Sequence, residues 1–557
     1  MTTDGTTWLP VEGVTVDFTN DFGTPLIGSA TTDSNGEATF TISSDAAGTS
    51  TVNVSTTVAY GDRGEHIGLT TVGGTGIPGP ATKIWWDARI SLSPNGTTAV
   101  GSDHTFTALV EMTTDGSTWL PVNGAAVDFT NDFGTPLTGS AVTGASGMAT
   151  FTISSDAAGT STVNASATVA YGDPGEYIDL TTVGGTGIHG PATKIWWDAR
   201  ISLSPNGTNA VGTNHEFTAL VEIKVGDAAW APAVGVDVTF ALTGAGSACV
   251  GQLNPVTTDV EGKARFSITS DTAGVSTVNA SACVSHCGEN LAVATDGYGA
   301  HTGPATKIWW DARISIGPDG CNPVGEPHEF TTLVEMTTDG ITWSPVNGVT
   351  VNFTNDFGTP LTGSAITDTN GMATFTIVSY MAGTSTVNAN ATVNYEMENL
   401  YVATDGYGAY SGPAIKDWYE PESDTIWAKL VDVNGSEYPN AIGFKGTGNW
   451  GWYNGPLSEG SYTFELWAGA AKNDTSRGQL AGYLYLTYAD GCVSYTTTLE
   501  PGFTAKEGAH VYISYDSDAP DFRKDFDDAD FACDSLCGFS GEIYFAFHSS
   551  VYLPYID

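Results

Sequence analysis

Positive charge is scarce in this chain. Eighteen Lys plus Arg stand against sixty-two Asp plus Glu, a formal net charge of −44. Such a surface repels nucleic-acid phosphates and anionic headgroups and attracts cations, so nucleic acid is not an expected partner. No apolar run approaches the roughly 18 to 20 residues of a membrane helix, so no membrane insertion is expected of this chain, and no secretory signal precedes residue 1. No ten-residue segment carries a helical apolar period either, which leaves an all-β reading. Charged residues are only 14% of the 557 and aromatics reach 11%. That balance excludes a disordered acidic tail and implies folded domains with an acidic surface.

What is present is repetition. The stretch Gly-Pro-Ala-Thr-Lys-Ile-Trp-Trp-Asp-Ala-Arg-Ile occupies 79–90 and returns at 190–201 and 303–314. The spacing of about 110 residues is the size of one immunoglobulin-like sandwich. Taking each copy as a module start divides the chain into 1–79, 80–190, 191–302, 303–412 and a divergent C-terminal β domain, 413–557. The expected architecture is all-β: tandem Ig-like β-sandwich repeats, followed by a different β-sandwich or jelly-roll. Met1 to Pro10 match Met112 to Pro121, so residues 1–79 form a partial repeat lacking its first strands. Two explanations stand: a fragment or internal start, or strands supplied by another subunit through strand addition.

With a period of two, Ile84, Trp86, Ala88 and Ile90 fall on one strand face, and Lys83, Trp85, Asp87 and Arg89 on the other. The first face reads as core. The second is polar except for its Trp, so one indole per module is expected to point outward. The expected contacts between domains or subunits are therefore Trp85, Asp87 and Arg89, with their copies Trp196, Asp198, Arg200, Trp309, Asp311 and Arg313. Further along the second unit, Phe106, Ala108 and Val110 alternate with Thr105 and Thr107, and Ala149, Phe151 and Ile153 with Thr150 and Thr152. A turn ending at Gly147 introduces the latter run. Val163, Ala165, Ala167 and Val169 then alternate with Thr162, Asn164, Ser166 and Thr168. Short Gly-rich joints at 71–77, 182–188, 295–300 and 404–409 lead into the next module and leave little slack.

Pro-Val-Asn-Gly-Ala-Ala-Val-Asp-Phe at 121–129, Gly-Met-Ala-Thr-Phe at 147–151 and Ala-Gly-Thr-Ser-Thr-Val-Asn-Ala at 158–165 occur in that order. Together they resemble the bacterial Ig-like group 1 (Big-1) domains of invasin- and intimin-type surface proteins, over about 1–412. The resemblance implies a surface-exposed stalk of stacked sandwiches that projects a distal domain.

The chemistry-bearing residues are few. Cys249, Cys283, Cys287 and Cys321 cluster around the third unit, and Cys492, Cys533 and Cys537 lie in the terminal domain. Their place in variable loops suggests disulfides and an oxidising compartment, with one of the seven left over. Asp516, Asp518, Asp521, Asp525, Asp527, Asp528 and Asp530 are a candidate calcium loop, because calcium takes six to eight hard oxygens, although EF-hand spacing is missing. Calcium is the sole cofactor suggested. Trp427, Trp450, Trp452, Tyr453 and Trp467 read either as sandwich core or as a sugar-stacking platform. Asn-x-Ser/Thr sequons stand at Asn53, Asn95, Asn164, Asn206, Asn279, Asn352, Asn390, Asn434 and Asn473, and the first, third and fifth share one outward strand phase. GxGxxG matches at 74–79, 185–190 and 446–451 open no helix after a strand and read as joints or turns. His104, His215 and His328 recur without a repeating nucleophile and read as structural. The functional expectation is non-enzymatic: a structural subunit of an extracellular stalk, sheath or filament at the cell surface, whose partners are copies of itself. The alternative is a surface adhesin whose terminal domain binds a glycan or a host protein.

Overall fold

The computed structural model of the chain describes residues 1–72, 78–172, 174–183, 190–431, 442–443, 450–517, 527–529, 531 and 533–554. These fall into two units, Met1–Trp310 and Asp311–Asp557. Among the described residues regular structure is β-strand, apart from two three-residue 3-10 turns, Ala471–Asn473 and Thr475–Arg477. The all-β expectation holds.

The second sandwich shows the plan. Strand Asp103–Thr113 buries Phe106, Ala108 and Val110 on one face and pairs antiparallel with Asp87–Ser93 on one side and Met148–Ser154 on the other. The opposing sheet is built on Gly159–Ala170, which pairs with Ala126–Asn131 along one edge and with Tyr177–Thr181 and residues 192–196 along the other. Val127, Phe129, Val163 and Ala165 meet the first sheet, and Phe129 stacks on Phe151 at 5.1 Å between ring centres. The alternation expected from Thr-x-Thr patterning is therefore real, because each strand has one face on this core. Glycine is required at two points. Gly147 has φ +73, which lets the turn close, and a β-carbon on Gly159 would fall 2.3 Å from the Phe133 ring.

The repeated Trp-Trp strand departs from expectation. In Ala192–Ser204, residues 192–196 pair with Gly159–Ala170 of the second sandwich, whereas 197–204 pair with Asn214–Val225 of the third. One strand thus closes one sandwich and opens the next, and the boundary expected at 190/191 falls between the two indoles. Trp196 joins the core of the second sandwich and Trp197 that of the third, both with no exposed surface. Adjacent strand residues point to opposite faces, so both indoles are buried only because a core lies on each side. Outward placement of Trp196 and Trp309 is therefore wrong; Trp309 too is fully buried, and Trp85 is half-buried. Ile84, expected inward, retains 47% of its surface.

Four of the indoles are anchored, whereas the buried Trp197 Nε1–H has no hydrogen-bond partner among the described residues. The Nε1–H of Trp85, Trp196, Trp309 and Trp418 donates to Oγ of Ser50, Ser161, Ser276 and Ser385 at 2.7–2.9 Å. Each serine hydroxyl in turn donates to a main-chain carbonyl, that of Phe22, Phe133, Ala245 or Phe357. Without this relay the buried donors of Trp196, Trp309 and Trp418 and the half-buried one of Trp85 would lose their acceptors.

In the second unit, Gly383–Tyr395 of the fourth sandwich pairs with Ala414–Tyr419, the worn copy of the repeat opening, whose Trp418 is buried in the same way. Beyond it lies an eleven-stranded sheet with Ile543–Tyr552 among its central strands. Its core includes Leu430, Phe464, Leu484 and Phe545. The opposite face of the same strands carries a smaller cluster of Trp427, Trp452 and Ala470, flanked by Trp450 and Trp467. His548 packs against Trp427 at 4.4 Å between ring centres. Burial, reinforced by His510 and opposed by Glu507, pushes its imidazole down to about 4.

Two measurements follow from this packing. Trp196→Ala removes a fully buried indole and should lower the unfolding free energy of the second sandwich by about 3–5 kcal/mol, read by denaturant titration; an unchanged transition would mean the ring is not in that core. His548 is held neutral in the fold against an ordinary value near 6.5, so the unfolded chain takes up the extra proton as pH falls from 6.5 to 4. The terminal domain should lose about 3 kcal/mol over that window relative to a His548→Gln variant, and parallel pH profiles for the two proteins would refute this.

Candidate functional site

The most specialised geometry in the first unit is the junction between the second and third sandwiches. Short strand Gly96–Ala99 of the second runs parallel to residues 194–197. Asn95 Oδ1 accepts from the amide of Thr193 at 2.8 Å, and Val100 N–H donates to the Trp197 carbonyl at 2.9 Å. The third sandwich reaches back with the hairpin joining Gly274–His286 to Glu289–Ala294. Glu289 Oε2 accepts from the amide of Ala99 at 2.6 Å, His286 sets its ring edge-on to Trp197 at 5.5 Å, and Leu291 packs into the core of the second sandwich. Gly226 N–H closes the other side on the Trp196 carbonyl at 2.9 Å. The buried Lys194 ammonium lies over the Trp196 ring at 5.2 Å. Burial lowers its proton affinity, and Glu289 partly restores it. A charge-assisted bond to a main-chain amide and an edge-on aromatic contact fix orientation as well as energy.

The first junction uses other residues at the same places. Trp86 is half-buried and lies 6.3 Å from Tyr171, and Lys83 meets Glu176 only at 4.0 Å with both side chains largely in solvent. A pair of that kind is worth little. The two junctions are therefore built on one strand pattern but sealed to different degrees.

Asp87, Arg89 and their copies are contacts within a module. Arg89 Nε donates to Glu111 at 2.7 Å while its guanidinium lies 4.1 Å from the centre of Trp119; Arg200 repeats this with Glu222 and Trp230, and Arg313 with Glu335 and Trp343. Asp198 accepts from Tyr298 Oη at 2.8 Å, and Asp311 from Tyr407 Oη at 2.7 Å. The heads of Arg89, Arg200, Arg313, Asp198 and Asp311 bridge neighbouring strands and loops of their own sandwich, whereas Asp87 is exposed and accepts from the amide of Ala88. The sequence did carry a signal for the triad: each Glu follows its Arg by 22 residues in all three repeats.

Cys492 and Cys537 form a disulfide across paired strands. Cys249, Cys283, Cys287 and Cys321 are free thiols, so the expected cluster of bridges around the third unit is not formed. Cys283 faces outward from its strand opposite Ala292, and Cys287 sits in the turn that follows. The side chain of Cys533 lies outside the described residues. So do Asp518, Asp521, Asp525 and Asp530 and the side chains of Asp527 and Asp528. Among the described residues no three His, Cys, Asp or Glu side chains come together as metal ligands, and Asp516 is exposed. Of the sequons, Asn95 and Asn206 are engaged through Oδ1 with the amides of Thr193 and Thr306, and Asn434 is outside the described residues. Asn473 uses both ends of its amide on Gly451, so a glycan there would displace a formed bond. Trp427, Trp452 and Tyr453 are buried, which rules them out as an open sugar platform; Trp450 and Trp467 are half-exposed. Tyr515 is exposed, and so is Tyr485, which stacks at 6.4 Å on the half-buried Tyr483 along Gln479–Ala489. Thr463, Thr496 and Thr498 stand on the neighbouring strands beside them.

No protein-family model matches the chain, and no curated protein matches it. Several solved structures do. The D0-D1 domain of intimin is 21% identical, with 36% of this chain and 94% of that one covered at a TM-score of 0.14. Invasin, described as a bacterial integrin-binding protein, is 14% identical over 83% of this chain and all of its own, at 0.24. InvD of Yersinia pseudotuberculosis is 13% identical over 57% and 96%, at 0.22. TM-scores of this size do not superpose the chain as a whole, so the all-β tandem fold stands on the strand pairing described above.

Proposed function

We propose that the chain is a non-catalytic, extracellular spacer of a cell-surface stalk, in which modules are joined so that orientation and load pass from one to the next. The observation that supports this reading is the shared strand: Trp196 and Trp197 are neighbours in sequence yet lie in two cores, and Glu289 closes the junction on Ala99. A joint of this kind has no slack to bend within. Trp196 and Trp309, the indoles through which a filament would assemble, are buried.

Inserting Gly-Ser-Gly-Ser between Trp196 and Trp197 should separate the unfolding of the second and third sandwiches into two transitions, whereas the parent chain should show coupled unfolding in calorimetry. Independent transitions in the parent would sink the load-passing reading. Light scattering of the same material across a concentration series distinguishes the alternatives, since growth with concentration would restore the self-assembling subunit. A second reading rests on Tyr483 and Tyr485: stacked rings among threonine hydroxyls are a surface suited to pyranose faces. On a glycan array, saturable binding by the full chain that Tyr485→Ala abolishes by tenfold or more would support an adhesin, and equal signal from the variant would refute that surface.

A further inference from the structure

The buried lysine of the shared strand recurs at one structural position. Lys194, Lys307 and Lys416 retain 0%, 1% and 0% of their surface. Each stands directly opposite the glycine that opens the short parallel edge strand: Gly96, Gly207 and Gly320. A β-carbon on those glycines would lie 3.1–3.2 Å from the lysine Nζ, so a larger residue there would press on the amine. Two residues further along the short strand, on the same face, come Thr98, Asn209 and Asn322.

In the third sandwich the two side chains meet, and Lys307 Nζ donates to Asn209 Oδ1. The amide plane is fixed from its other end, where Nδ2 donates to Thr213 Oγ1 at 3.1 Å and to the Asn214 carbonyl at 3.2 Å. His215 lies beside the amine; its Cε1 is 3.5 Å from the same β-carbon position on Gly207. Its Nε2 is 3.1 Å from the Pro205 carbonyl. A carbonyl can only accept, so Nε2 carries the proton and Nδ1 is bare. Burial holds this imidazole below its ordinary value, partly opposed by the bond to Pro205 and aided by the charge of Lys307. At the equivalent positions Lys194 and Lys416, burial likewise disfavours the charged ammonium.

We propose that Lys307 and Asn209 join in an amide cross-link that the third sandwich forms by itself. The Nζ lone pair adds to Cγ of Asn209 and makes the C–N bond. The proton released from Nζ is carried by Nδ1 of His215 to the departing Nδ2, the Cγ–Nδ2 bond breaks, and ammonia leaves. Two side chains become one amide, with no change of oxidation state and no cofactor. The neighbouring sandwiches do not react. Thr98 has no carbonyl carbon to attack, and Asn322 turns its Nδ2 to the Pro327 carbonyl at 3.4 Å while Lys416 Nζ makes no hydrogen bond among the described residues. The link would tie the first edge strand of the module to its last, 98 residues apart. Tension entering near 207 and leaving at 310 would then bypass the residues between. The inference does not depend on the stalk reading.

Peptide mapping of the purified, reduced full chain tests it. Trypsin cleaves after Lys and Arg, so an acylated Lys307 is skipped and residues 201–224 emerge joined to 266–313, at the sum of the two masses less about 17 Da for ammonia. Asn209→Ala and Lys307→Arg should each release both peptides unlinked. Quantitative recovery of free 201–224 together with cleavage after Lys307 in the parent chain would overturn the proposal. So would an ammonia-sized deficit confined to 201–224 alone, because that is Asn206 cyclised onto Gly207.

Discussion

Two adjacent indoles pointing opposite ways set the terms for the tandem part of this molecule. Side chains alternate along a strand, so a strand with one core can bury Trp196 or Trp197 but not both. Burying both forces a second core onto the other face at the next residue, and any flexible linker there would expose one ring. Each indole removes about 150–250 Å2 from water, worth roughly 4–6 kcal/mol as an upper bound. The joint between sandwiches is therefore itself a piece of two cores. A serine relay below Trp196 and Trp309 satisfies their buried indole N–H groups from the adjacent strand, through Ser161 and Ser276, whereas the Trp197 N–H has no hydrogen-bond partner among the described residues.

The same constraint explains what could be read from the sequence and what could not. Strand existence, module length and the Thr-x-Thr alternation were legible because each of those segments serves a single core; Phe106, Ala108 and Val110 lie inward as their spacing demands. The phase of the Trp-Trp strand was illegible because a period-two reading assumes that one face stays inward from end to end. Lys194 and Trp196 look like an outer face if Ala199 and Ile201 define the inner one, yet all four are buried. The terminal domain misled for the opposite reason. Trp427 and Trp452 lie on the outer face of its main core but are covered by a second, smaller cluster around Ala470, and sequence alone does not reveal a cover that comes from another segment. Tyr485 lies in an ordinary alternating strand, Gln479–Ala489, and is exposed as period two allows.

The distribution of the few cations sharpens the acidic character of the surface. Lys194, Lys307, Lys416 and Lys429 are buried, and Arg89, Arg200 and Arg313 are half-buried against Glu111, Glu222 and Glu335. Among the described residues seven Lys and Arg thus lie wholly or mostly away from solvent, while no Asp or Glu is fully buried. The outer surface is more lopsided than a net charge of −44 conveys. At physiological ionic strength the screening length is about 8 Å, so like-charged modules approaching side by side repel until they nearly touch. Lateral association through these faces would need bridging cations or high salt. Contacts that avoid this repulsion must be dry and apolar, as the junction around Trp196 and Trp197 is, or formed from uncharged hydroxyl and aromatic groups, as on the Tyr485 face. The chain therefore separates its interactions physically: cohesion runs through buried strand sharing along the sequence, and the flanks keep neighbours at a distance.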